Sequence, residues 1–405
     1  MKRKAFLVLI LLCILGLSTA AAISPPTPYI PPPPPSTPAP PSTPPAVSTV
    51  YVYPHSYGLA PNQQIQSDHP LMDALKLAKP GWEIFLNSGV YNGTYTLATE
   101  DIRLVGNNAT INGSITISAP GIKISNISIV YMPYEGEDHF RSSDVKSAAK
   151  VLPYKRVSGA VNVLSNDVVI DSIFVNTDYV GVYIAASHVT VKNSKIITTD
   201  MGIQCSNSND ILISHNLIES STATSIVRGT GIDCYNCSAV IAGDTIKRME
   251  YGVKLESSYS FYAGTMNLKT KASDVTSLSL IPSAKIERCT FGECSYGVYT
   301  YAPATIEQCN FYSDSTGVRI RGTSNVTVKQ CDFYLEYLYG VYLYRTLNFT
   351  IVGNRFTKPY NDAKVVYLSE ASNGLVDSNF IDCTNNSVTA STCGMLKTLL
   401  FLTIS

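Results

Sequence analysis

Three pairs of side chains, Tyr299 and Tyr301, Arg319 and Arg321, Tyr342 and Tyr344, offer one kind of chemistry: holding a flat, hydroxylated ligand. Tyrosine rings stack on sugar faces while their hydroxyls stay wet, and arginine forks grip carboxylates or stack on rings. Each pair is spaced i, i+2, so in an extended strand both members point the same way, ~6.8 Å apart. Stacked in units ~4.8 Å apart, the six would form an aromatic and cationic platform of roughly a hundred Å2 or more. A polysaccharide or cell-surface glycan, an acidic one above all, is the natural ligand. The competing reading is a self-supporting surface, with Tyr and Arg stacking on each other as cross-strand pairs.

The cysteines come next. The chain has ten, and Cys289, Cys309 and Cys331 recur in equivalent places, where a small apolar group packs. Cys205 and Cys234 hold one inward slot of consecutive units, so they are candidates for a disulfide in an oxidising compartment. Cys383 and Cys393 could close a short loop near the end of the chain. No metal-ligand spacing and no cofactor motif stands out. The acids Asp178, Asp200, Glu250 and Asp314 are spread over several units, too thinly for calcium, which needs six or more oxygens.

What positions these residues is a repeat. On the pattern apolar-x-x-small-x-apolar the segments align around Ser172, Ser194, Asn216, Asp244, Gly264, Cys289, Cys309, Cys331, Asn354 and Ser378. Successive steps are 22, 22, 28, 20, 25, 20, 22, 23 and 24 residues, the signature of a solenoid. A second column runs in phase, Gly181, Gly202, Gly231, Gly252, Gly297, Gly317 and Gly340, each opening a strand of alternating apolar and polar residues. Glycine there fits a positive φ or a close backbone approach. The spacing predicts an all-β right-handed parallel β-helix of about ten to twelve rungs over 48–405, with parallel sheets ~4.8 Å between rungs. In the first ladder, inward Asn and Ser can bridge the backbones of adjacent turns. The segment 131–157 breaks the repeat and reads as a loop insertion.

Ahead of the repeat, a basic start (Lys2, Arg3, Lys4), an apolar run from Ala5 to Leu17 and small residues to Ala22 read as a signal peptide. Left uncleaved, it would be an N-terminal anchor and the only contact with a membrane. Residues 23–47, mostly Pro, Ser and Thr, read as an extended spacer. The expected location is therefore secreted or cell-surface. Acidic and basic residues balance at 30 each without a basic stripe, which excludes nucleic acid as a partner. On an exported chain Asn92, Asn108, Asn112, Asn126, Asn236, Asn325, Asn348 and Asn385, each in Asn-x-Ser/Thr, are candidate glycosylation sites.

The start of the repeat domain carries a resemblance. Leu71 to Ala78 at helical spacing, Pro80-Gly81, Asn87-Ser88-Gly89-Val90-Tyr91 and Ile102-Arg103-Leu104-Val105-Gly106-Asn107 look like the entry to pectate-lyase-like β-helix proteins. The repeat is similar in particular to NosD-like proteins, whose members bind or process sugars or have no assigned activity. The resemblance implies a short capping helix before the first coils. Asn176-Thr177-Asp178, followed by Asp200, resembles the motif of polygalacturonase-like hydrolases, whose carboxylates protonate the leaving oxygen and activate water. Asp178 and Asp200 are the catalytic candidates. Against them, the paired second Asp and a Gly-His turn are missing. Arg319, 141 residues from Asp178, falls six steps away, roughly 29 Å. The expected function is carbohydrate binding on an exported β-helix. A structural or adhesive coat protein is the alternative, and a polysaccharide lyase or hydrolase a second one.

Overall fold

In a computed structural model, residues 48–132, 159–221, 228–257, 283–334, 336–357, 363–382, 394–396 and 399–401 are described. They wind as a solenoid. Each turn contributes two strands to a continuous 27-stranded sheet and one to an eleven-stranded sheet, so the coil has eleven rungs. Pairing between rungs is parallel and in register from Tyr95–Leu97 to Lys364–Ser369 in the eleven-stranded sheet.

The corner between the two strands of the larger sheet is a single left-handed residue, such as Asn193 at φ 52°, His215 at 57° or Gln330 at 54°. The residue after it points inward. Ser194, Asn216 and Asp244 stack first, then Cys289, Cys309 and Cys331, then Asn354 and Asn379, all buried. The amides join rungs: Asn216 Oδ1 accepts the Ser194 N–H at 2.9 Å, and Asn216 Nδ2 donates to Val191 O at 3.0 Å. The Ser194 N–H and the Val191 O thereby gain a side-chain partner.

Two ends of the expected ladder slip by one residue. Ser172 and Ser378 occupy the left-handed corner at φ 55° and 52°, while Ile173 and Asn379 point inward. The pairings Ile170↔Val191 and Ile351↔Val376 fix this register. Adjacent apolar residues, Val169-Ile170 and Leu375-Val376, satisfy the pattern in either frame, and only pairing with neighbours decides. The expected step around Gly264 is also corrected. Ile241 pairs directly with Ile286, so no rung lies between them, and Phe261 to Met266 fall outside the described residues.

The glycine column answers to close approach, not to positive φ. A Cβ on Gly297 would lie 2.5 Å from Phe311 Cδ1 and 2.7 Å from Gly317 O. Side chains from the opposite sheet reach across to these glycines: Ile196, Ile218 and Ile246, then Phe291, Phe311, Phe333 and Phe356. The four phenylalanines stack at centroid distances of 5.0, 4.6 and 4.7 Å, filling the interior of the later rungs.

Both ends of the coil are covered. Helix Pro70–Leu77 buries Leu71 and Ala74, as the resemblance implies, and Pro70 sits in its first turn. Thr49–Tyr53 pairs antiparallel with Ser56–Ala60 and parallel with Glu83–Leu86, a hairpin the repeat pattern does not foretell. At the other end Gly394–Leu396 and Leu399–Phe401 pair antiparallel with the last rung, covering its open edge. Among the described residues no helix is long and apolar enough to cross a membrane. The signal, the spacer, Cys383, Cys393, Asn385 and residues 133–157 of the insertion lie outside the described residues.

Candidate functional site

The outer face of the eleven-stranded sheet carries three columns of side chains, because Val298, Ile320, Val341 and Leu343 take the inward positions. The middle column is Lys254, Tyr299, Arg319, Tyr342 and Tyr367, each in register with the next. On one side stand Arg321 and Tyr344. On the other run Tyr251, Tyr296, Thr316, Tyr339 and Lys364. Tyr301 follows directly after the strand Tyr296–Thr300.

Arg319 is the centre. Its guanidinium carbon lies 5.3 Å from the Tyr296 and Tyr299 ring centroids and 5.2 Å from that of Tyr342. Nη1 donates to Tyr296 Oη at 2.9 Å, and the buried Nε has no partner. Arg321 and Arg345 flank Tyr344 at 5.6 and 5.0 Å, and Lys364 Nζ stands 4.2 Å over Tyr367. Arg345 is neutralised by Glu370 at 2.7 Å and Lys254 by Glu256 at 2.8 Å. Among the described residues Arg319, Arg321 and Lys364 form no ion pair. Tyrosine hydroxyls, Tyr299 first, hold the Arg321 guanidinium above its ordinary pKa. Burial, then the hydrogen bond with Tyr299, pushes the Tyr301 phenol up.

The six expected residues therefore come together, with one correction. Tyr299 is 6 % exposed, packed edge-on between Tyr251, Tyr296 and Tyr301, and its hydroxyl meets that of Tyr301 at 2.6 Å. Aromatic neighbours on two rungs enclose it, so it supports the face rather than presenting itself. Tyr301, Arg319, Tyr342 and Tyr344 are partly exposed and Arg321 is exposed.

The catalytic candidates do not converge on this face. Thr177 pairs with Thr198 and Val180 with Met201, so Asp178 stands level with Thr199 and Asp200 with Tyr179, staggered rather than opposed. Five rungs, not six, separate their turn from Arg319, ~24 Å, because the Gly264 step is not a rung. Cys205 and Cys234 are register partners as expected, yet the expected disulfide is not formed: both are free, buried thiols. Directly stacked parallel neighbours strain the dihedral a disulfide prefers. Of the sequons, Asn108, Asn126, Asn236, Asn325 and Asn348 sit at left-handed corners, φ 50–58°, a conformation asparagine tolerates well. Asn92 and Asn112 are exposed and joined, Asn112 Nδ2 donating to Asn92 Oδ1 at 2.9 Å.

Sequence reasoning missed the flanking Tyr251, Tyr296, Tyr339, Tyr367 and Lys364. The tyrosine or lysine that opens each strand was the available signal. It also missed Asp233 and Glu336 among the buried acids. Burial pushes Asp233 up to about 6 and Asp244 up to about 7. Glu336, buried beside Asp314, is pushed up to about 10. A cavity lined by Phe333, Glu336, Phe356 and Lys364 adjoins it.

Residues 275–400 match the family described as right-handed β-helix region, and residues 164–334 match the family described as periplasmic copper-binding protein (NosD). The chain is a right-handed parallel β-helix protein. Among the described residues no group of three or more His, Cys, Asp or Glu side chains could hold a metal ion. No curated protein matches the sequence. The catalytic domain of a GH87 α-1,3-glucanase in complex with nigerose aligns at a TM-score of 0.50 and 12% identity, over 86% of this chain and 70% of that one. The GH136 lacto-N-biosidase of Eubacterium ramulus aligns at 0.52 and 10%, over 82% and 67%. The ORF18 protein of Geobacillus virus E2 aligns at 0.40 and 13%, over 77% of this β-helix chain but only 57% of its own length. At these identities the likeness is one of fold.

Proposed function

We propose that this β-helix is an exported, cell-surface protein that binds an acidic carbohydrate chain on the outer face of its eleven-stranded sheet. One observation carries the reading. Arg319 and Arg321 stand among tyrosine rings with no carboxylate partner among the described residues. Cations fixed by stacking are pre-organised to grip carboxylates, and partly exposed tyrosines beside them can stack on sugar faces. Solved structures with this fold include a glucanase domain holding a disaccharide. The leader and the Pro-rich spacer support export.

The structural reading also has its observation, the enclosed Tyr299. The two divide the residues between them: Tyr251, Tyr296 and Tyr299 hold neighbouring rungs together, while Tyr301, Arg321, Tyr342 and Tyr344 face outward. Hydrolysis or elimination gains no support, since Asp178 and Asp200 are staggered and remote from the cations.

A glycan array with the purified protein tests the proposal. Wild type is expected to bind acidic glycans, and the double variant Arg319→Ala/Arg321→Ala to lose them. No binding to any glycan, or an unchanged profile in the double variant, contradicts it. Release of unsaturated or reducing product from a polysaccharide panel would replace binding with catalysis.

A further inference from the structure

Much of the ring surface on this face is taken up within the face itself. Tyr251 and Tyr296 stack with centroids 5.3 Å apart and planes 12° from parallel, and Tyr339 and Tyr342 at 4.9 Å and 28°. Arg319 lies against Tyr296, Tyr299 and Tyr342 together, its Nε buried and its Nη1 bonded to Tyr296 Oη. Tyr344 meets two guanidiniums, Arg321 from the preceding rung at 5.6 Å and Arg345 at 5.0 Å, the latter tied to Glu370 of the following rung. Such packing turns outward the ring edges with their hydroxyls and the in-plane N–H groups of the arginines.

One row of these donors converges. Thr300 pairs with Ile320, which sets Tyr301 level with Arg321, and Arg321 pairs with Tyr344. A guanidinium therefore stands between two phenols on three consecutive rungs, ~4.8 Å apart. Arg321 is exposed and forms no ion pair among the described residues, while Tyr301 and Tyr344 are partly exposed. Donors reach the space over Arg321 from three directions, its own N–H groups and a hydroxyl from either neighbouring rung. A carboxylate offers two oxygens in one plane, whereas a sulfate ester spreads three around a tetrahedral sulfur. We infer that Tyr301, Arg321 and Tyr344 hold a sulfate ester of the carbohydrate ligand, and that Arg319 is a positioning residue that fixes the surrounding rings without meeting this anion. The inference rests on the carbohydrate-binding reading above and adds the anionic group and the residues that grip it.

The test is calorimetric titration of the full chain with two tetrasaccharides that differ only in sulfation. One is chondroitin, whose uronates are its only anions, and the other chondroitin 4-sulfate. The sulfated probe is expected to bind at least about tenfold tighter, a step the size of one charge-assisted contact. Arg321→Gln should abolish that step, and an unchanged melting temperature of this exposed-site variant separates lost contact from lost fold. Tyr301→Phe and Tyr344→Phe delete hydroxyls but keep the rings, and each should shrink the step severalfold. Arg319→Lys should weaken both probes by the same factor and leave the step between them in place. A step lost in Arg319→Lys but kept in Arg321→Gln moves the anion to Arg319 and overturns the inference. Equal affinity of wild type for the two probes overturns the sulfate assignment and leaves acidic-carbohydrate binding, through uronates, standing. Failure of both probes also overturns the inference, and failure of every acidic glycan on the array overturns the reading beneath it as well.

Discussion

Asn379 Oδ1 accepts two hydrogen bonds from Asn354 one rung away, the backbone N–H at 3.0 Å and Nδ2 at 2.9 Å. Asn354 repeats the arrangement below, its Oδ1 taking the Cys331 N–H at 2.9 Å and its Nδ2 donating to Val328 O at 3.0 Å. Replacing Asn354 with Ala would remove the side-chain partners of the Cys331 N–H and the Val328 O. The expected cost is ~1–3 kcal/mol per group left unsatisfied. Urea unfolding of Asn354→Ala against wild type measures it; a change below ~0.5 kcal/mol would mean that the ladder merely fills space.

Asp244 occupies an asparagine slot of the same ladder, and its burial makes stability depend on pH. Oδ1 accepts the Asn216 N–H at 2.7 Å and Nδ2–H at 2.9 Å, while Oδ2 is buried without a partner. Its pKa is pushed up to about 7 in the folded state, so folding favours the protonated acid. The stabilisation is complete below the unfolded value of 3.8 and lost as pH rises through about 7. Asp244→Asn supplies a permanent donor in place of the proton and is expected to flatten this dependence. By pH 9 its gain over wild type should approach ~4 kcal/mol, with little difference near pH 4. Parallel unfolding curves for the two proteins across that range would contradict the assignment.

The glycine column makes a paired prediction. Gly297→Ala drives a methyl into Phe311 Cδ1 at 2.5 Å and Gly317 O at 2.7 Å, whereas at Gly292 the nearest atom, Lys247 Cγ, is 3.8 Å away. Gly297→Ala should cost ~1–3 kcal/mol through displacement of the phenylalanine stack. Gly292→Ala should be within ~0.5 kcal/mol of wild type. Thermal melts of the two variants decide, and equal melting temperatures would refute the close-packing account of the column.

These elements explain what the sequence could and could not reveal. Residues that repeat at one place per turn, such as Gly297, Gly317 and Gly340, were legible because the solenoid multiplies a local rule. Register was legible where apolar residues stand alone, as around Ser194, and ambiguous where two adjoin, as at Val169-Ile170. Burial on the outer face was not legible: Tyr299 and Tyr342 share a column, but only Tyr299 lies between Tyr251, Tyr296 and Tyr301 and so loses its exposure. Lys364 escaped because it opens its strand in a place where neighbouring units carry Tyr339, Thr316 and Tyr296. The free thiols of Cys205 and Cys234 show that register predicts proximity, not bonding.

The central claim is that Tyr301, Arg319, Arg321, Tyr342 and Tyr344 form the ligand-contacting surface. Hydroxyl-radical footprinting with and without an acidic polysaccharide tests it most directly, because tyrosine oxidation reports side-chain access residue by residue. Tyr312, 45% exposed on the strand Asn310–Tyr312 of the larger sheet, serves as internal reference. Oxidation of Tyr301, Tyr342 and Tyr344 is expected to fall severalfold on saturation while that of Tyr312 is unchanged. Unaltered oxidation of those three tyrosines alongside measurable binding would place the ligand elsewhere and contradict it.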